Sequence, residues 1–219
     1  MRKGRGGGVT GGEGSALLQL EEAFGLELTA DQKHRVRVYI EQLRRWNRHI
    51  NLTSIDRVEE HLRLNFFEAF WAVREFLGER VGLADVGTGA GFPGLAMKIF
   101  RPGLAVTLIE PNYKKAVFLK ETARTLALTV EVFVGKGEEF SGWDQVELAV
   151  FRALRPPAAL LRVLRSRGIP LLLFEGQEGL ADAGFRLSRE ARVPLSEHRY
   201  VRLLESVPAS SDECGQKQG

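Results

Sequence analysis

The sequence has little cysteine and no apolar run long enough to cross a membrane. Its 219 residues include a single cysteine, Cys214, close to the C-terminal end. This excludes an internal disulfide framework and a cysteine-based metal site, and we expect no bound metal. The first residues also lack the apolar core of a signal peptide. We therefore expect a cytoplasmic protein without a membrane partner.

The excess of basic over acidic residues is small, with a formal net charge of +3. Arginine nevertheless supplies 23 of the 31 basic residues, and the isoelectric point is about 9.2. Because the arginine side chain binds phosphate with two donors, this composition fits a nucleic-acid partner. An arginine-rich proteome of high GC content would give the same bias, and both explanations stay open.

Both ends of the chain are polar. Residues 1–14 have too few apolar side chains to bury, so we expect a disordered arm, and residues 206–219 should form a flexible tail. Between residues 15 and 80, apolar side chains recur at helical spacing, which predicts a helical subdomain. Its two apolar stripes are Val36, Ile40, Leu43 and Ile50, followed by Val58, Leu62, Phe66, Ala69, Val73 and Leu77.

From residue 81 to residue 205, short apolar strands alternate with amphipathic helices. This alternation predicts an α/β domain, with a mostly parallel sheet and helices on both faces. Ligands of such folds bind beyond the carboxyl ends of the strands. The predicted strands are 83–86, 104–110, 130–134, 146–151, 169–174 and 199–205, and helices should begin near Phe92, Asn112 and Pro156.

The stretch LADVGTGAGFPG, residues 83–94, contains two overlapping glycine motifs. Gly87-x-Gly89-x-Gly91 is typical of loops that bind S-adenosylmethionine, whereas the motif from Gly89 to Gly94 is the dinucleotide fingerprint. The strand leads directly into Gly87, and the dinucleotide alternative would need residues 87 and 88 to extend that strand, which they do poorly. We therefore predict a methyltransferase loop, with a nicotinamide oxidoreductase as an alternative. The S-adenosylmethionine-binding residues of this methyltransferase loop would be Asp85, Gly87, Gly89 and Gly91.

Two further predicted strands end in candidate cofactor residues. Glu110 closes the second strand about twenty residues after the glycine loop, where an acid accepts hydrogen bonds from ribose hydroxyls. Both cofactor classes carry ribose, so Glu110 does not separate them. Gly137 and Glu138 follow the third strand, where an amide and a carboxylate could contact an adenine.

The chain lacks groups that enzymes need in order to methylate several kinds of acceptor. Methylation of cytosine C5 needs a cysteine nucleophile, and Cys214 lies in the polar tail. Enzymes that methylate the amino group of adenine usually have an Asp/Asn-Pro-Pro-aromatic loop after the fourth strand. In the corresponding place, Arg155 and Ala158 replace the acid and the aromatic residue. Guanine N7 already has a free lone pair at neutral pH, so it needs positioning but no general base. Arg152, at the end of the fourth predicted strand, is the candidate catalytic residue.

Several stretches resemble the ribosomal small subunit methyltransferase G family, also called glucose-inhibited division protein B. They are DVGTGAGFPGLAMKIFRP, VTLIEPNYKKAVFLKE, WNRHINLTSI and FRALRP, and the resemblance covers roughly residues 40 to 176. It implies a class I methyltransferase fold and transfer of a methyl group from S-adenosylmethionine to N7 of a guanine (527 in the usual numbering) in 16S ribosomal RNA. S-adenosylhomocysteine would be the product. The implied partner is 16S ribosomal RNA or the small ribosomal subunit, and we expect a monomer.

The same resemblance implies roles for individual residues. Gly87 and Phe92 would line the methionine part of the cofactor, and Arg152 would lie near both cofactor and acceptor. The ribose would be bound by Glu110, Pro111 and Asn112, and the adenine by Gly137 and Glu138.

Departures from the family pattern occur where we expect the acceptor. Asn65 stands in the place of a histidine, Glu68 of an aspartate and Ala69 of a serine; Phe151 also replaces a serine, and Glu175 a lysine. Asn65 and Glu68 are substrate-side candidates. A carboxylate in place of an ammonium group beside RNA replaces attraction with repulsion. An alternative function is therefore a cofactor-binding module for RNA or ribosome assembly that has lost catalysis.

Lys114 and Lys115 open a predicted helix beside Glu110. They are further substrate-side candidates because this position would let them contact RNA phosphates. A solvated helix face explains them equally well.

Overall fold

The computed structural model describes residues 11–175 and 184–207. The first helix begins at Gly11, so residues 11–14 are helical and the expectation of disorder there is wrong. Once a helix has formed, each added residue gains a backbone hydrogen bond whatever its side chain, and glycines can extend it. The last strand ends at Ser206, so the expected tail does not begin at that residue. The rest of the expected arm, and the chain from residue 208 onwards, lie outside the described residues.

Helices occupy most of the described chain before the first strand and then alternate with strands. Two short 3₁₀ turns, Gly137–Glu139 and Gly142–Gln145, precede the fourth strand. The α-helices are α1 (Gly11–Phe24), α2 (Ala30–Asn47), α3 (Val58–Glu60), α4 (Glu68–Phe76), α5 (Gly94–Phe100), α6 (Tyr113–Thr125) and α7 (Ala158–Ser166), and a π-helix, His61–Phe67, joins α3 to α4.

The described strands form one seven-stranded sheet in the order β3-β2-β1-β4-β5-β7-β6. The first five strands in this order are parallel, and β7 pairs antiparallel with both β5 and β6. The prediction of a mostly parallel sheet is confirmed, although β6 was not predicted. The strands are β1 (Gly82–Val86), β2 (Ala105–Ile109), β3 (Glu131–Phe133), β4 (Leu148–Arg152), β5 (Leu171–Glu175), β6 (Phe185–Arg192) and β7 (Tyr200–Ser206).

The second helix begins at a reciprocal cap. The Thr29 side chain accepts a hydrogen bond from the Gln32 amide at 3.2 Å, and the Gln32 side chain accepts one from the Thr29 amide at 2.8 Å. This capping box fixes the helix start. The predicted stripe faces the core, with Val36, Ile40 and Leu43 buried, but α2 ends at Asn47 and so does not include Ile50.

The second predicted helix contains a π-helical segment in place of one regular helix. Two consecutive phenylalanines in it, Phe66 and Phe67, are both fully buried. The Phe66 ring contacts Tyr39, and the Phe67 ring contacts Phe24. A π turn changes the angular spacing of side chains, and here both rings enter the core.

Helices cover both faces of the sheet, as predicted. On one face, the core joins side chains of α1, α2 and α4–α6 to strand residues such as Leu83, Val150 and Val201. On the other face, α7 packs with the 3₁₀ turns against strand residues such as Phe151 and Leu173. The helical subdomain therefore shares its hydrophobic core with the sheet.

Candidate functional site

The glycine loop leaves β1 at Val86, and Gly87 makes the first turn as predicted. Gly87, Gly89 and Gly91 have φ angles of +69°, +59° and +88°. Side chains with a Cβ rarely adopt these angles, so the backbone path itself requires glycine at alternate positions. The Gly87 amide donates to the Ile109 carbonyl at 2.8 Å, which fixes the loop against β2.

Asp85 places one unsatisfied carboxylate oxygen at the base of this loop. Its Oδ2 accepts hydrogen bonds from the Thr88 hydroxyl at 2.5 Å and from the Gly94 amide at 2.8 Å. Its Oδ1 is buried and has no hydrogen-bond partner among the described residues. Burial raises the pKa of Asp85 to about 6, although those two hydrogen bonds and the charge of Arg152 oppose the rise. A buried acceptor without a partner is costly and marks a place where a ligand can bind.

Glu110 joins the glycine loop to the beginning of α6. Its Oε2 accepts from the Gly89 amide at 2.9 Å, and its Oε1 accepts from the Asn112 amide at 2.8 Å. The side chain is nearly buried, and each oxygen keeps a second lone pair. Glu110 can therefore shape the loop and still accept hydrogen bonds from a ligand.

The helical subdomain supports the loop through Tyr39, which the sequence analysis missed. The Tyr39 hydroxyl donates to the Ala90 carbonyl at 2.6 Å, and its ring stacks on Phe92 at 4.9 Å between centroids. Phe92 also contacts the Phe66 ring and is almost fully buried. The Phe92 ring therefore packs in the core and supports the loop, and its implied contact with the methionine part of the cofactor stays a prediction.

The remaining predicted cofactor residues lie beyond β2, which is next to β1 in the sheet, and beyond β3, which is next to β2. Gly137 is buried, and a Cβ there would lie 2.8 Å from a Leu160 methyl carbon. Glu138 and Pro111 are exposed. The Asn112 side chain is also exposed and caps α6. The strand order thus brings the glycine loop after β1, the residues after β2 and the residues after β3 together at the carboxyl ends of the parallel strands.

Arg152 ends β4 at the same edge, beside β1. It lies on the same face of its strand as Val150, facing the helical subdomain, because alternate residues of a strand share a face. Within residues 11–175 and 184–207, its guanidinium makes no hydrogen bond or ion pair. Burial lowers the pKa of Arg152, and the negative charge of Glu68 opposes this. The next residue, Ala153, has a φ of +51°, an unusual conformation at a strand end.

Glu68 is buried and paired, so its carboxylate is not presented to solvent. Arg199 donates to both of its oxygens, with Nε to Oε1 at 2.8 Å and Nη2 to Oε2 at 2.7 Å. Arg199 lies between β6 and β7 and is a residue that the sequence analysis missed. Its partner is 131 positions away, and no local pattern indicates such a contact.

The other departures from the family pattern are largely interior. Ala69 and Phe151 are buried in the two cores, so the expectation that they face an acceptor is wrong. Asn65 is also buried, and its side-chain nitrogen lies 2.9 Å from His61 Nδ1. Glu175 ends β5, and its side chain lies outside the described part of the structure. Differences at Ala69 and Phe151 therefore concern packing.

The first turn of α6 carries Lys114, which is exposed, and Lys115, which is half-buried.

No helix in the described ranges has the length and apolar character needed to cross a membrane. Among the same residues, no three His, Cys, Asp or Glu side chains cluster closely enough to hold a metal ion.

Comparisons with known proteins agree with this geometry. Residues 32–178 match the family model GidB, described as rRNA small subunit methyltransferase G. A protein of Streptococcus pyogenes named Ribosomal RNA small subunit methyltransferase G is 37% identical, over 90% of this chain and 93% of the relative. A protein of the same name from Chloroflexus aggregans is 33% identical, over 77% of this chain and 71% of its own length.

Solved structures with the same fold are more distant in sequence. A SAM-dependent methyltransferase from Aquifex aeolicus superposes with a TM-score of 0.54 at 20% identity, covering 68% of this chain and 93% of its own. A mutant of MtNAS in complex with S-adenosylmethionine gives a TM-score of 0.57 at 15% identity, covering 79% and 73%. These similarities establish a class I methyltransferase fold.

Proposed function

The chain belongs to the rRNA small subunit methyltransferase G family, and we propose that it transfers a methyl group from S-adenosylmethionine to N7 of a guanine in 16S ribosomal RNA. The observation that carries the proposal is the glycine loop with the free Asp85 oxygen at its base and Glu110 at its side. We also propose that the protein is a monomer, which light scattering would test, and that it is cytoplasmic, which cell fractionation would test.

The residues around the loop fit S-adenosylmethionine. The free Oδ1 of Asp85 can receive a hydrogen bond or a positive charge, and the spare lone pairs of Glu110 suit ribose hydroxyls. We assign the cofactor's other contacts to Gly87, Gly89, Gly91 and Phe92 in the loop, to Pro111, Asn112, Gly137 and Glu138 beyond β2 and β3, and to Arg152. When bound, S-adenosylmethionine supplies an electrophilic methyl group on a sulfonium ion.

The nicotinamide alternative loses its support in the loop. β1 ends at Val86 and Gly87 is already in a left-handed conformation, so residues 87 and 88 do not extend the strand as a dinucleotide fingerprint requires. Family membership and fold both favour methyl transfer.

We assign Arg152 the task of positioning the acceptor base. Guanine N7 carries no proton, so no residue of this chain has to remove one. An arginine that bound both O6 and N7 of guanine would occupy the attacking lone pair. Arg152 should therefore donate to O6 or to a phosphate and leave N7 free. Holding the base in place lowers the entropic part of the barrier.

A basic surface next to the site suits an RNA partner. Arg35, early in α2, donates to the Leu126 carbonyl just after α6 at 2.5 Å, while Trp46 near the end of α2 contacts Phe118. The two helices therefore run antiparallel, and the end of α2 lies beside the middle of α6.

This arrangement groups cations from distant parts of the sequence. Exposed Arg45 and Arg48 lie at the end of α2, and Lys114 and Lys115 lie in the first turn of α6, next to Glu110. Phosphate contacts from such a group supply affinity and orientation without reading sequence. We place the RNA backbone here.

The test is transfer of a tritium-labelled methyl group to small subunits, and separately to naked 16S RNA, from cells that lack the modification. We expect incorporation at one guanine N7, mapped by borohydride–aniline cleavage. Arg152→Gln should lower kcat by at least about tenfold. Arg162→Gln, at an exposed position on α7, should match the wild type.

Two outcomes would separate the alternatives. Binding of S-adenosylhomocysteine and RNA without methyl incorporation would favour the non-catalytic assembly module. No binding of either cofactor form by calorimetry would overturn the loop assignment itself.

A further inference from the structure

Arg199 and Glu68 form an ion pair that joins two distant parts of the chain at the edge of the proposed site. Arg199 lies just before β7, and Glu68 begins α4. Both oxygens of Glu68 are occupied, at 2.8 and 2.7 Å, and the Glu68 side chain is only 1% exposed. Two parallel hydrogen bonds to one carboxylate are the most geometrically specific pairing that arginine makes.

Strand register places Arg199 close to Arg152. Arg152 pairs with Phe174 of β5, and Phe174 pairs with Val201 of β7. Val201 and Arg152 therefore lie in one row across the sheet and on one face, two strand spacings or about 10 Å apart. Arg199 precedes Val201 by two positions, so it lies on that same face. Both guanidiniums thus approach the layer that contains Glu68.

The Glu68 carboxylate therefore lies near the guanidiniums of both Arg199 and Arg152, but it forms hydrogen bonds only with Arg199. Arg152 has no hydrogen bond or ion pair to any described residue, although the negative charge of Glu68 is near enough to raise the Arg152 pKa against the effect of burial. Without Arg199, Glu68 would be a buried carboxylate with both oxygens free, which has to bind another cation or take up a proton. Arg152 shares that face and has no partner among the described residues, so we expect it to be the cation that Glu68 binds.

We infer that Arg199 is a positioning residue for methyl transfer: by occupying both oxygens of Glu68, it prevents Glu68 from binding Arg152 and keeps the Arg152 guanidinium free for the acceptor. This inference rests on the proposed function. It gives the segment between β6 and β7 a role at a site otherwise built from β1, β2, β3 and β4. It also explains a buried glutamate that is held away from solvent.

The inference predicts an unusual pattern of rescue. Arg199→Gln frees Glu68 to capture Arg152, so kcat on modification-free small subunits should fall about tenfold while the KM for the subunit changes less than about threefold. Adding Glu68→Gln removes the captor, so the double variant should regain at least threefold in kcat over Arg199→Gln alone. Arg199→Lys keeps the charge but loses the two-point bond, and its kcat should be intermediate.

A second ion pair, between α4 and β6, provides the matched control. Glu75 of α4 and Arg189 of β6 pair at 2.9 Å. Arg189→Gln should lower the melting temperature without changing kcat, measured well below that temperature. Melting curves and circular dichroism spectra of every variant report the folded fraction, and kcat is expressed per folded molecule.

The outcomes separate this inference from the proposed function. If the wild type methylates the subunit but Arg199→Gln keeps wild-type kcat per folded molecule, the pair is only structural and the inference is wrong. A double variant no faster than Arg199→Gln would also overturn it. A wild type that does not methylate the subunit would overturn the proposed function instead.

Discussion

Replacing Asp85 by asparagine should make the protein more stable at neutral pH and a poorer cofactor binder. The carboxyl group is fully buried, one of its oxygens has no partner, and burial raises its pKa from an ordinary 3.8 to about 6. A difference of that size corresponds to about 3 kcal/mol between the ionised and neutral forms. Asparagine has the shape of the neutral acid and never carries the charge.

The sign of the effect follows from proton binding. Below about pH 4, Asp85 is protonated in both the folded and the unfolded state, and the charge costs nothing. Between about pH 4 and pH 6, the folded state keeps a proton that the unfolded state has lost, so the wild type loses stability as the pH rises. Above about pH 6 the full cost of about 3 kcal/mol remains.

Urea unfolding of the wild type and of Asp85→Asn at pH 4.5, 6 and 7.5 would measure this difference. The free energy of unfolding of the variant should exceed that of the wild type by an amount that grows with pH towards about 3 kcal/mol, or roughly 6–12 °C in melting temperature. Affinity for S-adenosylhomocysteine should fall about tenfold, because an amide group that donates replaces the free oxygen. Asp144→Asn, at an 80% exposed side chain, is the control. A stability difference independent of pH would refute the reasoning.

Three further changes test the support of the loop and the RNA surface. Gly91→Ala places a methyl group 2.2 Å from the Tyr39 hydroxyl and should lower the melting temperature sharply. Gly87→Ala strains the turn at its φ of +69° but meets only the flexible Leu154 side chain, at 2.8 Å, so it should lower the melting temperature less than Gly91→Ala and also weaken S-adenosylhomocysteine binding in calorimetry. Tyr39→Phe removes the hydrogen bond to the loop and should cost about 1 kcal/mol in urea unfolding, and an unchanged midpoint would contradict its role. Lys114→Ala should reduce the slope of log affinity for 16S RNA against log salt by about 1, and an unchanged slope would remove Lys114 from the RNA surface.

Local sequence patterns predicted the loop and its neighbouring strand ends well. The start of the glycine turn follows from where the apolar run before Gly87 stops, and Glu110 was found because it ends an apolar strand. Both signals are confined to a few adjacent residues. The same approach missed β6, whose sequence FRLSREAR is half charged and mostly exposed. It is a strand because it pairs along β7, and that pairing is set by the fold.

Contacts between distant residues were beyond local patterns. Tyr39 reaches Ala90 across 51 positions, and Arg199 reaches Glu68 across 131. The expectation that Ala69 and Phe151 face an acceptor failed for a related reason. It rested on comparison with a family pattern, and only the packing of the two cores shows that both side chains point inward.

The core that the helical subdomain shares with the sheet has a consequence for modularity. A chain cut before β1 would expose Leu83, Val150 and Val201 to water and remove the tyrosine that holds the glycine loop. The two parts should therefore unfold in one cooperative transition. Exchange of the first 80 residues between relatives would succeed only if the tyrosine and the glycine that makes room for its hydroxyl were inherited together. The helical subdomain, which in the sequence resembles an accessory domain, should therefore belong to the same folding unit as the sheet.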